Sequence, residues 1–520
     1  MHKVKALLIN VIILTVTSLI MRTLGVAFNV YLSNKLGASA MGLFQLISSV
    51  SFLAITFAIS GIRLAATRLV SEELALSNLK GAKKSVYHCC LYSLFFSCVC
   101  GIILFCGAKY IGSVMLGDER SVLSLKIFAF SLPFTALASV MCGYFTAVRA
   151  VFKMASVQIA EQFIRIVTTI ICIVFFAKKS IELCCASIII GTCSGEIFSF
   201  CLLYLLYKSD IRKHQQGYSG SKNRSIVKRM FYIALPIAFG SYIRSAIRTL
   251  QEMLIPFGLK KNGASAESAL SAYGTIAAMA MPVLMFPGAF LDAISDMLVP
   301  EMSEMNALSR RNGINHVIDR VFAIGLITSV LVSGIFWKYA NTISVLIYKN
   351  NCCVYYFKML SPLIPVLYMD MVTDSILKGL GAQISSMIYN ITESVLSVSM
   401  LYFLLPKYGI NGYLFTIIAV RSVNFLFSVN KLIKITKFKT DIAYIFKIVL
   451  SLIASLFIVN ILSYILPLFK NISVLSFIIN VVSVLLIYIS LLFLSSCITR
   501  KDIIWIRSIF AAKKGFAQNN

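Results

Sequence analysis

Residues 6–32 read ALLINVIILTVTSLIMRTLGVAFNVYL. A helix needs roughly 20 apolar residues to cross the hydrocarbon of a bilayer, and this run supplies them with Arg22 near its middle. A guanidinium at that depth costs about 2.5–3.5 kcal/mol on insertion scales, so it normally faces a water-filled cavity or a partner. The next apolar run, 42–69, carries Arg63 near its end. Two arginines in neighbouring membrane helices point to a site for an anion.

The same texture continues to the C-terminus. Of 520 residues, 59% are hydrophobic and 13% charged, with a mean hydropathy of +0.88, whereas soluble domains are about a quarter charged. About fourteen apolar runs of spanning length alternate with short polar punctuation, and no gap would hold a soluble catalytic domain. The fold class this implies is an all-α polytopic membrane protein. A net charge of +28 raises the question of nucleic acid. The basic residues, however, gather in loops on the N-terminal side, at 208–229, 431–439 and 500–514, as the positive-inside rule requires of cytoplasmic loops. Both termini are therefore expected in the cytoplasm, with membrane lipids and not nucleic acid as the charged surroundings. Lys3, Lys5 and the first apolar run imitate a signal peptide. With a run this long and Arg22 inside it, the expectation is an uncleaved first helix.

Sliding the chain by 232 residues superimposes its second apolar run on its eighth. Gly42 meets Gly274, Ile62 meets Ile294, Ser71-Glu72 meets Ser303-Glu304, Ala75-Leu76-Ser77 meets Ala307-Leu308-Ser309 and Gly81 meets Gly313, eight identities in forty positions. An offset of six crossings preserves orientation, so the two copies are related by an axis along the membrane normal. Two six-helix lobes follow, 1–215 and 216–440. Residues 441–498 form two further helices and 499–520 a basic tail. Carriers built this way rock one lobe against the other around a site at their interface.

Charged residues inside apolar runs mark candidate sites. The first half offers Arg22, Arg63, Glu161, Arg165 and Glu196; the second offers Arg244, Arg248, Glu252, Asp292, Asp296, Asp370, Asp374, Lys378, Glu393 and Arg421. One-turn spacing allows Glu161 to pair with Arg165, Arg248 with Glu252 and Asp374 with Lys378, and Glu161–Arg165 reads as a structural pair. Arg22 and Arg63 have no acid within a turn, and Arg244 shares a face with Arg248. Arginine forks match phosphate oxygens bidentately, so these four are the candidate anion-binding set. For Arg63 the alternative is snorkelling to the membrane surface. Asp292 and Asp296, one turn apart, can share a proton or hold a cation, and with Glu196 they are the candidates for ion coupling. Neutralising Arg244 or Arg248 is their other reading.

Enzyme signatures are lacking. The four histidines are scattered, there is no Gly-Lys dipeptide of a phosphate-binding loop and no Gly-x-Ser-x-Gly elbow. The fourteen cysteines fall as vicinal pairs or singles within apolar runs, without CxxC spacing. No catalytic residue, metal or cofactor is expected.

The run from Met21 through Gly42-Leu-Phe-Gln-Leu, Ser60-Gly-Ile-Arg-Leu-Ala and Ser71-Glu-Glu-Leu-Ala resembles the opening of the polysaccharide transporter and stage V sporulation protein B family. The resemblance continues at Gln158-Ile-Ala-Glu-Gln-Phe-Ile-Arg, Ala272-Tyr-Gly, Leu298-Val-Pro-Glu-Met-Ser-Glu, Leu377-Lys-Gly-Leu-Gly and Pro406-Lys-Tyr-Gly-Ile-Asn-Gly. That family sits in a superfamily with multidrug and toxin extrusion carriers and lipid II flippases. The resemblance implies a flippase for a lipid-linked oligosaccharide, with Arg22, Arg63, Arg244 and Arg248 lining a cationic cavity for its pyrophosphate and cell-wall synthases as partners. Peptidoglycan precursor for a spore cortex and capsule or exopolysaccharide units are both open as cargo. Two other readings stand beside it: a cation-coupled drug exporter, for which Glu161 and Glu196 speak, and a cell-wall scaffold that transports nothing.

Overall fold

The computed structural model describes residues 2–59, 61–76, 78–176, 180–213, 226–308, 310–436, 442–465 and 474–497. Among them there is no strand. The helices are α1 (His2–Ile59), α2 (Ile62–Ala75), α3 (Leu79–Tyr110), α4 (Val122–Ala147), α5 (Val151–Phe176), α6 (Ile181–Lys213), α7 (Ile226–Lys261), α8 (Ala266–Gly274), α9 (Met281–Met285), α10 (Ala289–Ala307), α11 (Arg311–Lys338), α12 (Ala340–Tyr348), α13 (Val354–Leu360), α14 (Ile364–Gly379), α15 (Gln383–Thr436), α16 (Ile442–Ile465) and α17 (Val474–Leu494). The basic tail lies outside the described residues, as do 214–225 and 437–441 of the basic loops.

Twelve helical stretches among the described residues are long and apolar enough to cross a membrane. Two exceed one crossing. With 58 and 54 residues, α1 and α15 would each run roughly 80 Å at 1.5 Å per residue, against about 30 Å of hydrocarbon. Each breaks at one glycine, Gly37 (φ 82°) and Gly409 (φ 55°). Counting the parts separately gives about fourteen crossings, with turns of a single residue where the sequence suggested loops. Large apolar side chains stand open along the spans, Phe175 at 70% and Leu494 at 82% exposure. An apolar exterior of this kind is stable only where lipid is the solvent.

Proline placement accounts for most of the interruptions in the second half. Pro282 begins α9, Pro287 lies in the 3-10 turn 286–288, Pro362 in the 3-10 turn 361–363, and Pro365 begins α14. A proline lacks an N–H and is best accommodated where the helix hydrogen-bond ladder starts afresh. In the first half Pro133 sits inside an unbroken α4, and the break between α1 and α2 belongs to Gly61 (φ 71°).

The chain folds as two compact units, residues 1–279 with 394–413 and residues 280–393 with 414–520. In the first, Ile62, Leu69 and Val70 of α2 are buried among Val86 and Cys89 of α3, Val140 and Phe145 of α4, and Met230 and Ala234 of α7. In the second, Leu298 and Met302 of α10 pack with Ile318 and Val321 of α11, Met369, Val372 and Ile376 of α14, and Leu432 of α15. The last two helices dock on α11: Ile448, Leu452, Tyr488 and Leu492 close around Val330. Lys338 Nζ donates to the Leu456 carbonyl at 2.7 Å, and Tyr488 Oη to that of Ile327 at 3.2 Å.

One crossing in the first unit ties the sequence repeat to the fold. A Cβ on Gly42 would run into the Leu270 carbonyl, and a Cβ on Gly274 would run into the Ala38 carbonyl and the Gly42 backbone. Ala38 and Leu270 are themselves separated by the repeat offset. Each copy thus presents the same pair of positions to the other, as residues around a two-fold axis do. Small residues at the crossing let the two backbones meet. Gly274→Leu is expected to destabilise the protein by at least ~1–3 kcal/mol, the usual cost of overpacking, seen as a lower unfolding midpoint in detergent. Gly25→Ala is the control, since nothing lies within 4 Å of a Cβ placed there.

Candidate functional site

All four arginines of the anion-binding set belong to the first unit. Arg22 is half-buried in α1, while Arg63, Arg244 and Arg248 are exposed. Gly61 decides where Arg63 stands. It adopts a left-handed φ that L side chains avoid, and a Cβ there would lie 2.6 Å from the Ala234 carbonyl of α7. Only glycine can both stop α1 and press the turn against α7. The result is a new helix N-terminus with Arg63 as its second residue and no acid in its first turn. The positive end of a helix and a guanidinium then act at one place, an arrangement suited to anions. Among the described residues, Nη2 of Arg63 meets a soft acceptor, Met154 Sδ at 3.7 Å.

Helix α7 is held on the second part of α1 by a polar seam. Thr249 Oγ1 donates to the Ser49 carbonyl at 3.2 Å, Thr56 Oγ1 to Ser245 Oγ at 3.3 Å, and Phe57 stacks on Tyr242 with ring centroids 4.2 Å apart. Arg244 and Arg248, each one position before a residue of this seam, lie on the neighbouring face. Arg248 Nε donates to Glu252 Oε1 at 3.1 Å, its guanidinium lies 5.4 Å from the Phe52 ring centroid, and Glu252 Oε2 accepts from Tyr273 Oη at 3.2 Å. Glu252 therefore relieves the repulsion of the stacked arginines. Arg244 Nε donates to the Gly240 carbonyl at 3.3 Å. Among the described residues neither Arg63 nor Arg244 has a carboxylate partner.

Helices α5 and α6 meet through glycine. A Cβ on Gly191 would lie 2.8 Å from the Arg165 carbonyl, and one on Gly195 would lie 3.2 Å from that of Glu161. This approach brings Glu196 to the Glu161–Arg165 pair. Arg165 Nη2 is 2.8 Å from Glu161 Oε1 and 4.0 Å from Glu196 Oε1. Spacing alone legibly pairs the first two; the third depends on the helix crossing.

Asp292 is half-buried in the first turn of α10, where the helix dipole favours a carboxylate. Asp296 follows one turn later, and its side chain lies outside the described residues. The second unit gathers a further set that sequence reading weighed lightly. Arg421 bonds Glu393 at 3.0 Å, Lys378 bonds Asp374 at 2.5 Å, Ser386 donates to Asp374, and Asn424 Nδ2 donates to Asp370 Oδ2 at 3.2 Å. Asp370 Oδ1 and Asn424 Oδ1 are buried without a hydrogen-bond partner. Asn424 carries no charge, and no charge-based reading could find it. The one available signal was a polar residue within an apolar run.

Removing the arginine of the α5–α6 cluster leaves two carboxylates facing each other. Arg165→Leu is expected to cost of order 2–3 kcal/mol, below the ~3–5 kcal/mol of a fully buried pair because Arg165 keeps 28% of its side-chain surface open. Unfolding in detergent reads this, and adding Glu161→Gln with Glu196→Gln is expected to restore most of the midpoint.

Stage V sporulation protein B of Bacillus subtilis (strain 168) is 21% identical over 406 residues, 77% of this chain and 78% of that protein. Sporulation protein YkvU of the same organism is 21% identical over 403 residues, 76% of this chain and 87% of that protein. Among solved structures, lipid II flippase MurJ in an inward closed conformation superposes with a TM-score of 0.65 at 15% identity, covering 96% of this chain and 99% of that one. An inward-facing multidrug resistance MATE family transporter of the MOP superfamily gives 0.60 at 14% identity, covering 82% and 100%. These two share the fold. Residues 7–306, more than half of the chain, match the family described as polysaccharide biosynthesis protein, and the chain belongs to that family as a multi-pass membrane protein.

Proposed function

We propose that the protein moves a lipid-linked saccharide with a polyprenyl pyrophosphate head from the cytoplasmic to the outer leaflet by alternating access. The observation that carries this reading is the pair of exposed arginines, Arg63 and Arg244, without a carboxylate partner among the described residues, one of them at a bare helix N-terminus. Cations carried within membrane helices without an acid beside them are retained where an anion is to be bound, and a diphosphate offers the oxygens that guanidinium forks match. Arg22, Arg63 and Arg244 take the pyrophosphate, with Arg248 set in place by Glu252. The saccharide travels in water and the polyprenyl chain stays in lipid. Cargo chemistry is supported by the lipid II flippase among the fold neighbours, and a cell-wall role in spore formation by the names of the two bacterial relatives. The basic loops favour cytoplasmic termini. No phosphate-binding loop supplies ATP hydrolysis, so an ion gradient or consumption of the product drives the cycle, with Asp292, Asp296 and Glu196 as candidates for coupling.

One observation favours a second reading. The Glu161–Arg165–Glu196 cluster leaves a net negative charge inside the α5–α6 pair, as export of an organic cation would use, and a multidrug transporter shares the fold.

Leaflet accessibility of a lipid-linked disaccharide pentapeptide in proteoliposomes tests the proposal. Arg63→Ala and Arg244→Ala are each expected to slow translocation at least tenfold, as is Arg22→Ala, with insertion and unfolding midpoint retained. Normal translocation by these variants would remove the anion model. Arginine-independent efflux of an organic cation, abolished by Glu196→Gln, would favour the exporter.

A further inference from the structure

Apart from these arginines, the first unit contains a cavity of about 600 Å³, within the ~300–1,000 Å³ usual for small-ligand sites. Three stretches of chain build it: the α2–α3 turn, the α4–α5 turn and the end of α6. Lys80, Lys83, Arg149 and Asp210 line it together with apolar walls that include Leu79 and Val148. Asp210, the one acid of this lining, is already engaged. Its Oδ2 accepts from Tyr144 Oη at 3.0 Å and its Oδ1 from Lys153 Nζ at 2.6 Å. Lys80 and Lys83 make no ion pair among the described residues.

The cations stand where helix electrostatics disfavours them. Lys80 and Lys83 lie at the start of α3 and Arg149 two residues before α5; neither helix has an acid in its own first turn, and at α3 the buried Glu73 of α2 accepts from the N-cap residue Asn78 at 2.8 Å. Both N-termini are positive ends of helix dipoles. Arg149 also bears a backbone cost. It closes α4 with φ 58°, its N–H donating to the Thr146 carbonyl at 3.1 Å and that of Ala150 to the Phe145 carbonyl at 2.9 Å. Glycine normally holds such a position, and an L residue there costs ~1–2 kcal/mol. A bound anion would meet the lysines at this positive helix end. By crossing parity these turns lie on the N-terminal side, which the basic loops assign to the cytoplasm, where pockets between membrane helices take anionic headgroups.

We propose that this pocket binds a phosphate ester, with Lys80, Lys83 and Arg149 on its oxygens and the apolar walls against its carbon skeleton. The ester comes either from an anionic phospholipid or from a soluble phosphate compound. The test uses the full-length protein in detergent, comparing wild type, Lys83→Gln/Arg149→Gly and the equal-charge control Lys431→Gln/Lys434→Gln. Native mass spectrometry follows phosphatidylglycerol against phosphatidylcholine, and calorimetry follows glycerol phosphate. Glycine at 149 suits the left-handed turn, and the unfolding midpoint of each variant is measured beside binding so that loss of the site is told from loss of the fold. The expected result is at least tenfold weaker binding by the pocket variant and near-wild-type binding by the control. Loss of phosphatidylglycerol preference identifies the lipid source, and loss of glycerol phosphate binding the soluble one. Equal binding by all three proteins, equal loss in both variants, or wild type that prefers neither phosphate ligand would overturn the proposal.

Discussion

Two glycines that the sequence repeat places in register, Gly42 and Gly274, touch where α1 crosses α8. No side chain fits on either. In a bilayer, burying apolar surface does not drive helices together, because lipid is as apolar as leucine, so association rests on close packing and on the few polar contacts it permits. Here the contact of backbones sets the spacing around it: Asn29 Nδ2 reaches the Ala278 carbonyl at 2.8 Å, and Tyr273, next to Gly274, reaches Glu252. The Gly191 and Gly195 crossing of α5 and α6 follows the same rule and assembles the Glu161–Arg165–Glu196 cluster.

Charge in this protein is divided between neutralised and open sites. Arg165, Arg248, Arg421 and Lys378 each have a carboxylate within 3.1 Å, and such pairs let charged groups sit at depth. Among the described residues Arg63 and Arg244 do not, and both are exposed on the same unit that holds Arg22. Their burden is borne by the fold: glycine breaks α1 to give Arg63 a helix end, and the Ser245–Thr249 seam fixes the face on which Arg244 stands. The open charges are positive on this unit, while the buried unsatisfied acceptors of Asp370 and Asn424 belong to the other.

The family match and the two fold neighbours bear on these features unequally. At 14–15% identity a shared fold says how helices are arranged and nothing of what passes among them. Side chains must supply that, and the arginines speak for an anionic head where the α5–α6 acids speak for a cation.

The sequence by itself determined the membrane class, the number of crossings, the internal repeat and the one-turn ion pairs. All of these are read from hydropathy over a single helix or from spacing of four residues, and local geometry fixes them. Arg22 and Arg63 were also legible, because a charge in an apolar run is conspicuous whatever surrounds it. Only the tertiary structure decided that Glu196 joins Arg165, that Asn424 meets Asp370, and that Arg63 stands at a helix N-terminus pressed on α7. Each of these joins residues tens to hundreds of positions apart or hangs on one glycine's backbone angle. Hydropathy in a membrane chain is nearly uniform around each helix, so the sequence does not reveal which face turns to lipid and which to a neighbour; close packing does.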